Sequence, residues 1–315
     1  MSWRPKAAVS TMEARADLLE TLRSFFKNRD SLEIDVPTIA KVPVSDPWID
    51  SLTVTDPYGK QVGFLLSSPE PYLKRCLAEL NRPIHSIGHA YRGNEMGKVH
   101  IPEFSIIEWY RPMKSGQIDA MVIELTALVC ELTQFGKPKV VEYRTLFEDA
   151  FGLNPHQTTE HELAQLVGDT ISLNTTSNLD SSMLLDLIFV NHIQPSLNCH
   201  LVLDFPFAQA ALSRVGENDS GDQVAKRVEL YLSGVEIANG YDELVDVNEQ
   251  RQRFENDRLK RVSLHRPDVD VDEEMLFALT AGLPSSYGVA LGIDRLLMAV
   301  LEKNSLIPCM TFMDI

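Results

Sequence analysis

Two apolar segments, residues 84–92 and 103–111, constrain the fold of this 315-residue chain more than any other feature. Both have the composition of β-strands, and a short polar loop that contains two glycines joins them. Alternate residues of a strand point to the same face, so Ser86, Gly88 and Ala90 lie together. Because all three are small, the pattern predicts a pair of neighbouring strands with a hollow on one face.

Charged side chains are expected near that hollow. Arg92 ends the first strand, and Glu108 shares a face of the second with Phe104, Ile106 and Tyr110. A guanidinium binds phosphate or carboxylate through its fork of donors, whereas a buried carboxylate suits an ammonium group. An aromatic ring such as that of Phe104 offers a surface on which a base can stack. The set predicts a site for a nucleotide and an amine-bearing substrate; the alternative is a structural Arg92–Glu108 ion pair.

A second group of acids occurs in residues 234–244, GVEIANGYDEL, where Glu236 and Glu243 are seven residues apart. Asn239 and Gly240 lie between them, and we expect this pair to form a turn that brings the carboxylates together. Carboxylate oxygens are hard ligands of the kind that Mg²⁺ uses when it bridges phosphates. The segment therefore predicts a magnesium site, unless both acids are solvated surface residues.

Residues 288–301, GVALGIDRLLMAVL, indicate a strand that continues into a helix, with Arg295 in the first helical turn. A cation at a helix N-terminus opposes the helix dipole and therefore needs a partner. A phosphate would satisfy both Arg295 and the free backbone N–H groups there. The alternative is that Arg295 pairs with a neighbouring acid such as Asp294.

The remaining pattern indicates the fold class. Apolar residues at helical spacing predict a helix at 11–29, and a charged helix is expected at 247–262. Strand-like runs occur at 200–207 and 228–240. Because strands and helices do not alternate as regular βαβ units, we expect an α+β fold with an antiparallel sheet flanked by helices. No repeat or linker is visible, which favours one domain over residues 1–315.

Composition excludes several classes of function. The formal net charge is −16, with 29 basic against 45 acidic side chains, which disfavours a protein that holds a long nucleic acid by its phosphates. No apolar stretch is long enough for a membrane span, and the N-terminus lacks the apolar region of a signal peptide. The four cysteines show neither metal-ligand nor disulfide spacing. We therefore expect a cytoplasmic protein without a membrane partner.

The ordered set of segments resembles the catalytic domain of class II aminoacyl-tRNA synthetases. Pro37 in LEIDVPTI is similar to the motif 1 proline at the dimer interface, Tyr91-Arg92 with the loop to His100 to motif 2, and GIDR at 292–295 to motif 3. SSPE at 67–70, EFSIIEWY and EIANGYDEL resemble the lysyl-tRNA synthetase branch. The likeness is closer still to paralogues of that branch that ligate β-lysine to a lysine of translation elongation factor P.

That resemblance implies the class II fold, a homodimer, and activation of the amino acid by ATP with Mg²⁺ before transfer to elongation factor P. Only a short segment precedes motif 1, so the anticodon-binding OB domain of the synthetases is expected to be absent and tRNA is not an expected partner. Two alternatives remain open: a lysine-activating domain that acts on tRNA or another amine, and a regulatory paralogue without turnover.

The resemblance also assigns roles to individual residues. Arg92, which would neutralise the α-phosphate, and Arg295, which would bind the γ-phosphate, would be catalytic. The residues implied to bind ATP are Arg92, Gly93, Asn94, His100, Ile101, Phe104, Glu236, Ile237, Gly292 and Arg295. Those implied to bind the amino acid are Ser68, Pro69, Glu70, Glu108, Tyr110, Asn239, Glu243 and Ala290, with Glu108 and Tyr110 at the distal ammonium. Mg²⁺ would be held by Glu236 and Glu243.

The sequence departs from the synthetase pattern at Asn94, Ala290, Ile101, where asparagine is usual after His100, and Pro71, which replaces an aromatic or aliphatic residue after SPE. Asn94 stands where motif 2 usually has a glutamate that contacts adenine, and its amide oxygen can still accept a hydrogen bond. Ala290 stands where lysyl-tRNA synthetases usually have glycine. One extra methyl group in the amino-acid site would favour β-lysine over α-lysine by about 1–3 kcal/mol.

Overall fold

The structure, a computed structural model, describes residues 3–114, 118–171 and 179–313. Its α-helices are α1 Val9–Lys27, α2 Glu70–Leu80, α3 Ile118–Leu132, α4 Tyr143–Phe151, α5 Glu160–Thr170, α6 Ser181–Ile188, α7 Val247–Ser263, α8 Glu273–Gly282 and α9 Ile293–Val300. Its strands are β1 Leu32–Glu33, β2 Ile39–Ala40, β3 Thr53–Thr55, β4 Gln61–Leu65, β5 Ile84–Tyr91, β6 Glu103–Pro112, β7 Lys139–Glu142, β8 Cys199–Pro206, β9 Val215–Glu217, β10 Gln223–Leu232, β11 Val235–Asp242 and β12 Ser286–Gly292.

The chain forms two compact units. Within the described residues the first comprises 3–114 and 244–313, and the second comprises 118–171 and 179–243. Across these ranges no helix has both the length and the apolar surface required to cross a membrane. The expectation of one catalytic domain over residues 1–315 stays a prediction.

The main sheet of the first unit contains the predicted strand pair. β1 runs parallel to β5, and the pairs β5–β6 and β6–β12 are antiparallel. The register places Ser86 opposite Glu108 and Ala90 opposite Phe104, which confirms the predicted shared face. A smaller antiparallel sheet, in the order β2-β4-β3, belongs to the same unit.

The core of the first unit lies between α1, α2 and this sheet. Phe26, on the apolar side of α1, stacks on His85 of β5 with ring centroids 4.9 Å apart and meets Trp109 of β6 at 5.0 Å. Leu73 and Leu77 of α2 are fully buried. Burial of these large apolar groups holds the strand pair rigidly, which is what positions the polar residues on its other face.

The strands of the second unit pair largely antiparallel. β10 pairs antiparallel with β8, β9 and β11, whereas β7 runs parallel to β8. The segment predicted as one strand at 228–240 is therefore two strands. Ser233 and Gly234 form the turn between them, and both have positive φ, 49° and 75°. That pair of angles is typical of the two-residue turns that match the twist of a hairpin.

Aromatic side chains dominate the core of the second unit. Tyr143 stacks on Phe147 and on Phe189, with ring centroids 4.9 Å and 5.0 Å apart. Phe205 of β8 and Tyr231 of β10 extend this cluster beneath the sheet. Mainly antiparallel sheets flanked by helices are the architecture expected from the sequence.

The stability of the first unit is expected to depend on Asp257 of α7. Burial and the nearby carboxylate of Asp46 raise the pKa of the Asp257 carboxyl from 3.8 to about 6. A carboxyl whose pKa is raised on folding favours the native state when protonated, so stability is lost as pH rises from about 4 through 6. Asp257→Asn should therefore increase the free energy of unfolding at pH 7.5 by about 1–2 kcal/mol and change it little at pH 4.

Thermal unfolding at both pH values tests this expectation. Asp268→Asn is the matched control, because the hydrogen bonds from Arg258 lower the pKa of the Asp268 carboxyl. Removal of the Asp268 charge should therefore decrease the free energy of unfolding at pH 7.5. Equal stabilisation by Asp257→Asn at pH 4 and pH 7.5 would contradict the assignment to ionisation.

Candidate active site

Glu108 lies at the centre of the predicted hollow. It is only 2% exposed, and its neighbours across the two adjoining strands are Ser86 on β5 and Ala290 on β12. Ser68 donates a hydrogen bond from Oγ to Oε1 of Glu108 at 2.7 Å. Small residues on both sides leave room beside a buried carboxylate, which is an arrangement suited to an ammonium group.

The SSPE segment is tied directly to this carboxylate. Helix α2 begins at Glu70, after Pro69, and Ser68 Oγ also accepts a hydrogen bond from the Glu70 N–H at 3.0 Å. Glu70 pairs with Lys74, one helical turn later, with Nζ 2.6 Å from Oε1. Lys74 is fully buried and was missed by the sequence analysis, although its i,i+4 spacing from Glu70 was the available signal.

Arg92 lies at the far end of the strand pair from Glu108. Its guanidinium lies 5.1 Å from the centre of the Phe104 ring, its Nε donates to Ser67 O at 3.4 Å, and Nη1 is 3.9 Å from Glu95. Six residues of strand separate Arg92 from the position opposite Glu108, a span of roughly 20 Å. The alternative of a structural Arg92–Glu108 ion pair is therefore wrong, and the two groups lie at different ends of the strand pair.

The loop that follows Arg92 begins with two residues anchored on Asp50. Gly93 N–H donates to Asp50 O at 2.7 Å, and a Cβ on Gly93 would lie 3.2 Å from that oxygen. Asn94 has left-handed backbone angles, with φ of 60°, and donates from Nδ2 to Asp50 Oδ2 at 2.9 Å. Arg266 holds the other oxygen of Asp50 at 2.9 Å. The side chain of Asn94 therefore fixes the loop, which the sequence analysis did not foresee.

Arg295 lies in the first turn of α9, as predicted. Its Nε donates to Val99 O at 3.1 Å, which places it beside the end of the same loop. Asp294, the neighbouring acid considered as its partner, instead accepts hydrogen bonds from Arg15 Nη1 and from the Ser105 N–H, each at 2.6 Å. The alternative of an Arg295–Asp294 pair is therefore wrong, and Asp294 instead links α1, β6 and α9.

The other predicted residues of the first unit occupy the same sheet and loop. Tyr110 is buried, and Gly288 lies opposite it on β12. Gly292 ends that strand opposite Ile106. Within the loop His100 is exposed, and Ile101 is buried.

The acids of the second unit are arranged by a β-bulge. On β10 and β11 the ladder pairs Leu230 with Ala238 and Tyr231 with Glu236, so Ile237 is an extra residue. Such a bulge reverses the alternation of side chains along a strand. It places Glu236 on the same face as Asn239, although these residues are an odd number apart.

The predicted turn at Asn239 and Gly240 is wrong, because both residues lie within β11, opposite Glu229 and Val228. The hairpin turn is already supplied by the two residues before β11, and ladder hydrogen bonds keep this segment extended. Alternation continued beyond the bulge places Glu243 on the face of Glu236. The bulge gives the two carboxylates a common face, but about six residues of extended strand keep them roughly 20 Å apart, so the prediction that they come together is wrong as well. Glu243 is 2% exposed, so it is not a solvated surface acid.

Asn239 is held by residues that the sequence analysis missed. Arg227 Nε donates to Asn239 Oδ1 at 3.1 Å, and Asn239 Nδ2 donates to the Tyr241 hydroxyl at 3.0 Å. Arg227 also pairs with Glu229, which accepts a hydrogen bond from the Tyr231 hydroxyl. Burial raises the pKa of the Glu229 carboxyl to about 7 against the opposing effect of Arg227. Polar residues at every second position of an otherwise apolar strand were the signal.

The two units thus present different chemistry. The first offers groups suited to a polyphosphate, a base and an ammonium ion: Arg92, Arg295, Phe104 and Glu108. The second offers carboxylates on one strand face, hard oxygens of the kind that Mg²⁺ uses: Glu236 and Glu243.

Comparison with known proteins agrees with this chemistry. The chain matches the family model of tRNA synthetases class II (D, K and N) over residues 1–313. It is 34% identical over 318 residues to an elongation factor P--(R)-beta-lysine ligase of Pasteurella multocida (strain Pm70), covering 99% of this chain and 97% of the relative. The ligases of Edwardsiella ictaluri (strain 93-146) and Haemophilus influenzae (strain PittGG) are 34% and 33% identical, with 99% and 98% of this chain and 97% of each relative covered. The class II fold is confirmed, and the chain belongs to the class II tRNA synthetase family (D, K and N), together with these ligases.

Proposed function

We propose that this protein is an ATP-dependent ligase that activates (R)-β-lysine as its adenylate and joins it to a lysine of translation elongation factor P. The observation that carries the proposal is the buried Glu108 between Ser86 and Ala290, beside Ser68. This carboxylate is suited to the ammonium group of a lysine-like substrate. Ala290, beside it, carries a methyl group at a position where lysyl-tRNA synthetases usually have glycine. Relatives of nearly the same length, named for this reaction, favour it over a tRNA-directed enzyme or a regulator without turnover.

Recognition of the amino acid begins at its distal ammonium group. Glu108 supplies the buried negative charge, and Ser68 fixes the carboxylate by a hydrogen bond to one of its oxygens. Tyr110, on the same face of β6, lies at the side of the ammonium group. Glu70, held by Lys74 one turn later, receives the second amino group near the carboxylate. Because Glu108 and Glu70 hold their carboxylates at different places, the site selects an amino acid with two amino groups.

Activation is a substitution at the α-phosphate of ATP. The carboxylate of β-lysine attacks phosphorus, a new P–O bond forms, and pyrophosphate leaves. Arg92 neutralises the charge that develops on the α-phosphate, and Phe104 stacks on the adenine. Arg295 binds the γ-phosphate, with backbone groups around His100 and Ile101 beside the bent triphosphate. Catalysis of this kind rests on positioning and charge stabilisation.

Glu236 and Glu243 each offer hard carboxylate oxygens of the kind that Mg²⁺ prefers, but about six residues of extended strand, roughly 20 Å, lie between them, so one of them and not both would hold a given ion. When bound, the ion would offset the negative charge of the triphosphate. Ile237 contributes its backbone at the bulge, which allows Glu236 to face the ligand side.

Transfer uses the neutral amine of a lysine of elongation factor P. Its nitrogen attacks the acyl carbon of the adenylate, an amide forms, AMP leaves, and the amine gives up a proton to solvent. We further propose that the enzyme works as a homodimer in the cytoplasm. The segment around Pro37 supports the dimer, since the apolar residues Leu32 and Ile39 are 40% and 46% exposed there.

Mass spectrometry tests the reaction directly. Elongation factor P incubated with this protein, ATP, Mg²⁺ and (R)-β-lysine should gain the mass of one lysyl residue, and α-lysine should give much less. Pyrophosphate exchange without modification of elongation factor P would favour another acceptor amine. No exchange with either isomer would favour a regulator.

Glu108→Gln is expected to raise the KM for β-lysine about 10–50-fold and to leave the KM for ATP near the wild-type value. The amide keeps the shape of the side chain and can accept from Ser68, but it no longer offers a negative charge to the ammonium group. Pyrophosphate exchange at varied substrate concentrations gives both constants. A large rise in the KM for ATP alone would contradict the assignment of Glu108 to the amino acid.

A further inference from the structure

We propose that Arg227 is a positioning residue of the amino-acid site, which fixes the orientation of the Asn239 amide. The inference rests on the proposed function, with Asn239 in the amino-acid-binding role that the family resemblance implies, and it adds a specific task to a residue outside the implied site. Asn239 would donate from Nδ2 to the carboxylate of β-lysine.

The orientation of the amide is determined by its two hydrogen bonds. Arg227 can only donate, so the atom of Asn239 that lies 3.1 Å from its Nε is the amide oxygen. Nδ2 then faces the hydroxyl of Tyr241, at 3.0 Å. An amide nitrogen carries two N–H groups, so it can bind a carboxylate and keep the bond to Tyr241. Without Arg227 the amide can rotate by half a turn and present its oxygen, which repels a carboxylate.

Arg227 is itself rigidly held, as a positioning residue must be. Its guanidinium pairs with Glu229, which is 4% exposed, and Nη1 donates to Gln209 O at 3.1 Å. The ring of Phe205 lies 4.7 Å below the guanidinium carbon. Each of its three nitrogens therefore has an acceptor and one face packs on an aromatic ring, so the Nε–H points in one direction.

The neighbouring cation shows that this arrangement is specific to one face of β10. Lys226 points to the opposite side and pairs with Asp204 at 3.0 Å. Its side chain is 16% exposed, close to the 18% of Arg227. Lys226→Met therefore removes an equally buried cation without touching Asn239, and it is the matched control.

A double-mutant cycle in pyrophosphate exchange tests the inference. Arg227→Met should raise the KM for β-lysine about tenfold, the value of one hydrogen bond, with the KM for ATP unchanged. Asn239→Ala should raise it as well. Arg227→Met added to Asn239→Ala should produce no further rise beyond about twofold, because Arg227 acts through that side chain. Lys226→Met should leave both constants unchanged.

Arg227→Met removes the cation that pairs with Glu229. The same measurement is therefore also made on Glu229→Gln alone and on Glu229→Gln combined with Arg227→Met, because the glutamine carries no charge that needs a partner. An unchanged KM for β-lysine in both comparisons overturns the inference. So does an effect of Arg227→Met that multiplies with that of Asn239→Ala. A wild-type protein that activates no lysine isomer overturns the proposed function and this inference together, whereas normal wild-type exchange with an unaffected variant overturns only the positioning role.

Discussion

Arg92→Ala should lower amino-acid-dependent pyrophosphate exchange about 10²–10³-fold, the usual loss when one preorganised donor to a transition-state charge is removed. The expectation depends on Arg92 standing apart from Glu108, at the loop end of the strand pair beside Phe104. Alanine removes the charge there and leaves the hydrogen bonds of the ladder in place. Because the lost interaction is strongest in the transition state, kcat should fall more than the affinity for β-lysine.

Arg92→Lys separates charge from geometry. Lysine retains a positive charge but lacks the planar fork of donors, so exchange should recover only in part. Arg82→Ala is the control, since that arginine forms an exposed ion pair with Asp30 and surface pairs of this kind contribute little. Exchange by Arg92→Ala at the wild-type rate would show that motif 2 has been assigned to the wrong residues.

Ala290→Gly should relax the choice between lysine isomers. Ala290 lies directly opposite Glu108 on β12, so its methyl group adjoins the space beside the carboxylate. Removal of one methyl group should raise kcat/KM for α-lysine by up to about 10–200-fold. β-Lysine should change less, because it loses only one contact. Glycine in a strand should also cost about 0.5–1 kcal/mol of stability.

Exchange assays with both isomers give the ratio of kcat/KM for α-lysine to kcat/KM for β-lysine. Thermal unfolding gives the change in stability. Ala299→Gly in α9, a buried position of the same unit outside the implied site, should lower stability without moving the ratio of the two isomers. If Ala290→Gly leaves that ratio unchanged, Ala290 does not determine specificity and another feature of the site must exclude α-lysine.

Local periodicity was sufficient to predict the strand pair around the site. Side chains alternate with a period of two, so the shared face of Ser86, Ala90, Phe104 and Glu108 followed from the segments alone, and the register confirms it. The helix with Arg295 after a strand was predictable for the same reason. Residue types then indicated phosphate and ammonium chemistry, because few buried structural roles require an arginine and a glutamate in that pattern.

The errors occurred where one residue changes the period. Glu236 and Glu243 were assigned to a bend because Asn-Gly pairs favour turns, but hydrogen bonds with β10 outweigh that local preference. Because Ile237 is an extra residue in the strand, Val235 and Glu236 point to the faces opposite to those that simple alternation from Asn239 would give. No pattern within β11 reveals a bulge, since it depends on the strand opposite.

The sequence by itself determined the class of the fold, the strand pair that presents Arg92 and Glu108, and the family to which the chain belongs. Tertiary structure alone decided which charges meet. Asp294 binds Arg15, 279 residues away along the chain, rather than its neighbour Arg295. Asn239 is oriented by Arg227 across a hairpin, and the side chain of Asn94 donates its hydrogen bond to Asp50. The physical reason is that hydrogen bonds and ion pairs act over a few ångströms in space, so their partners are known only when distant segments have been packed together.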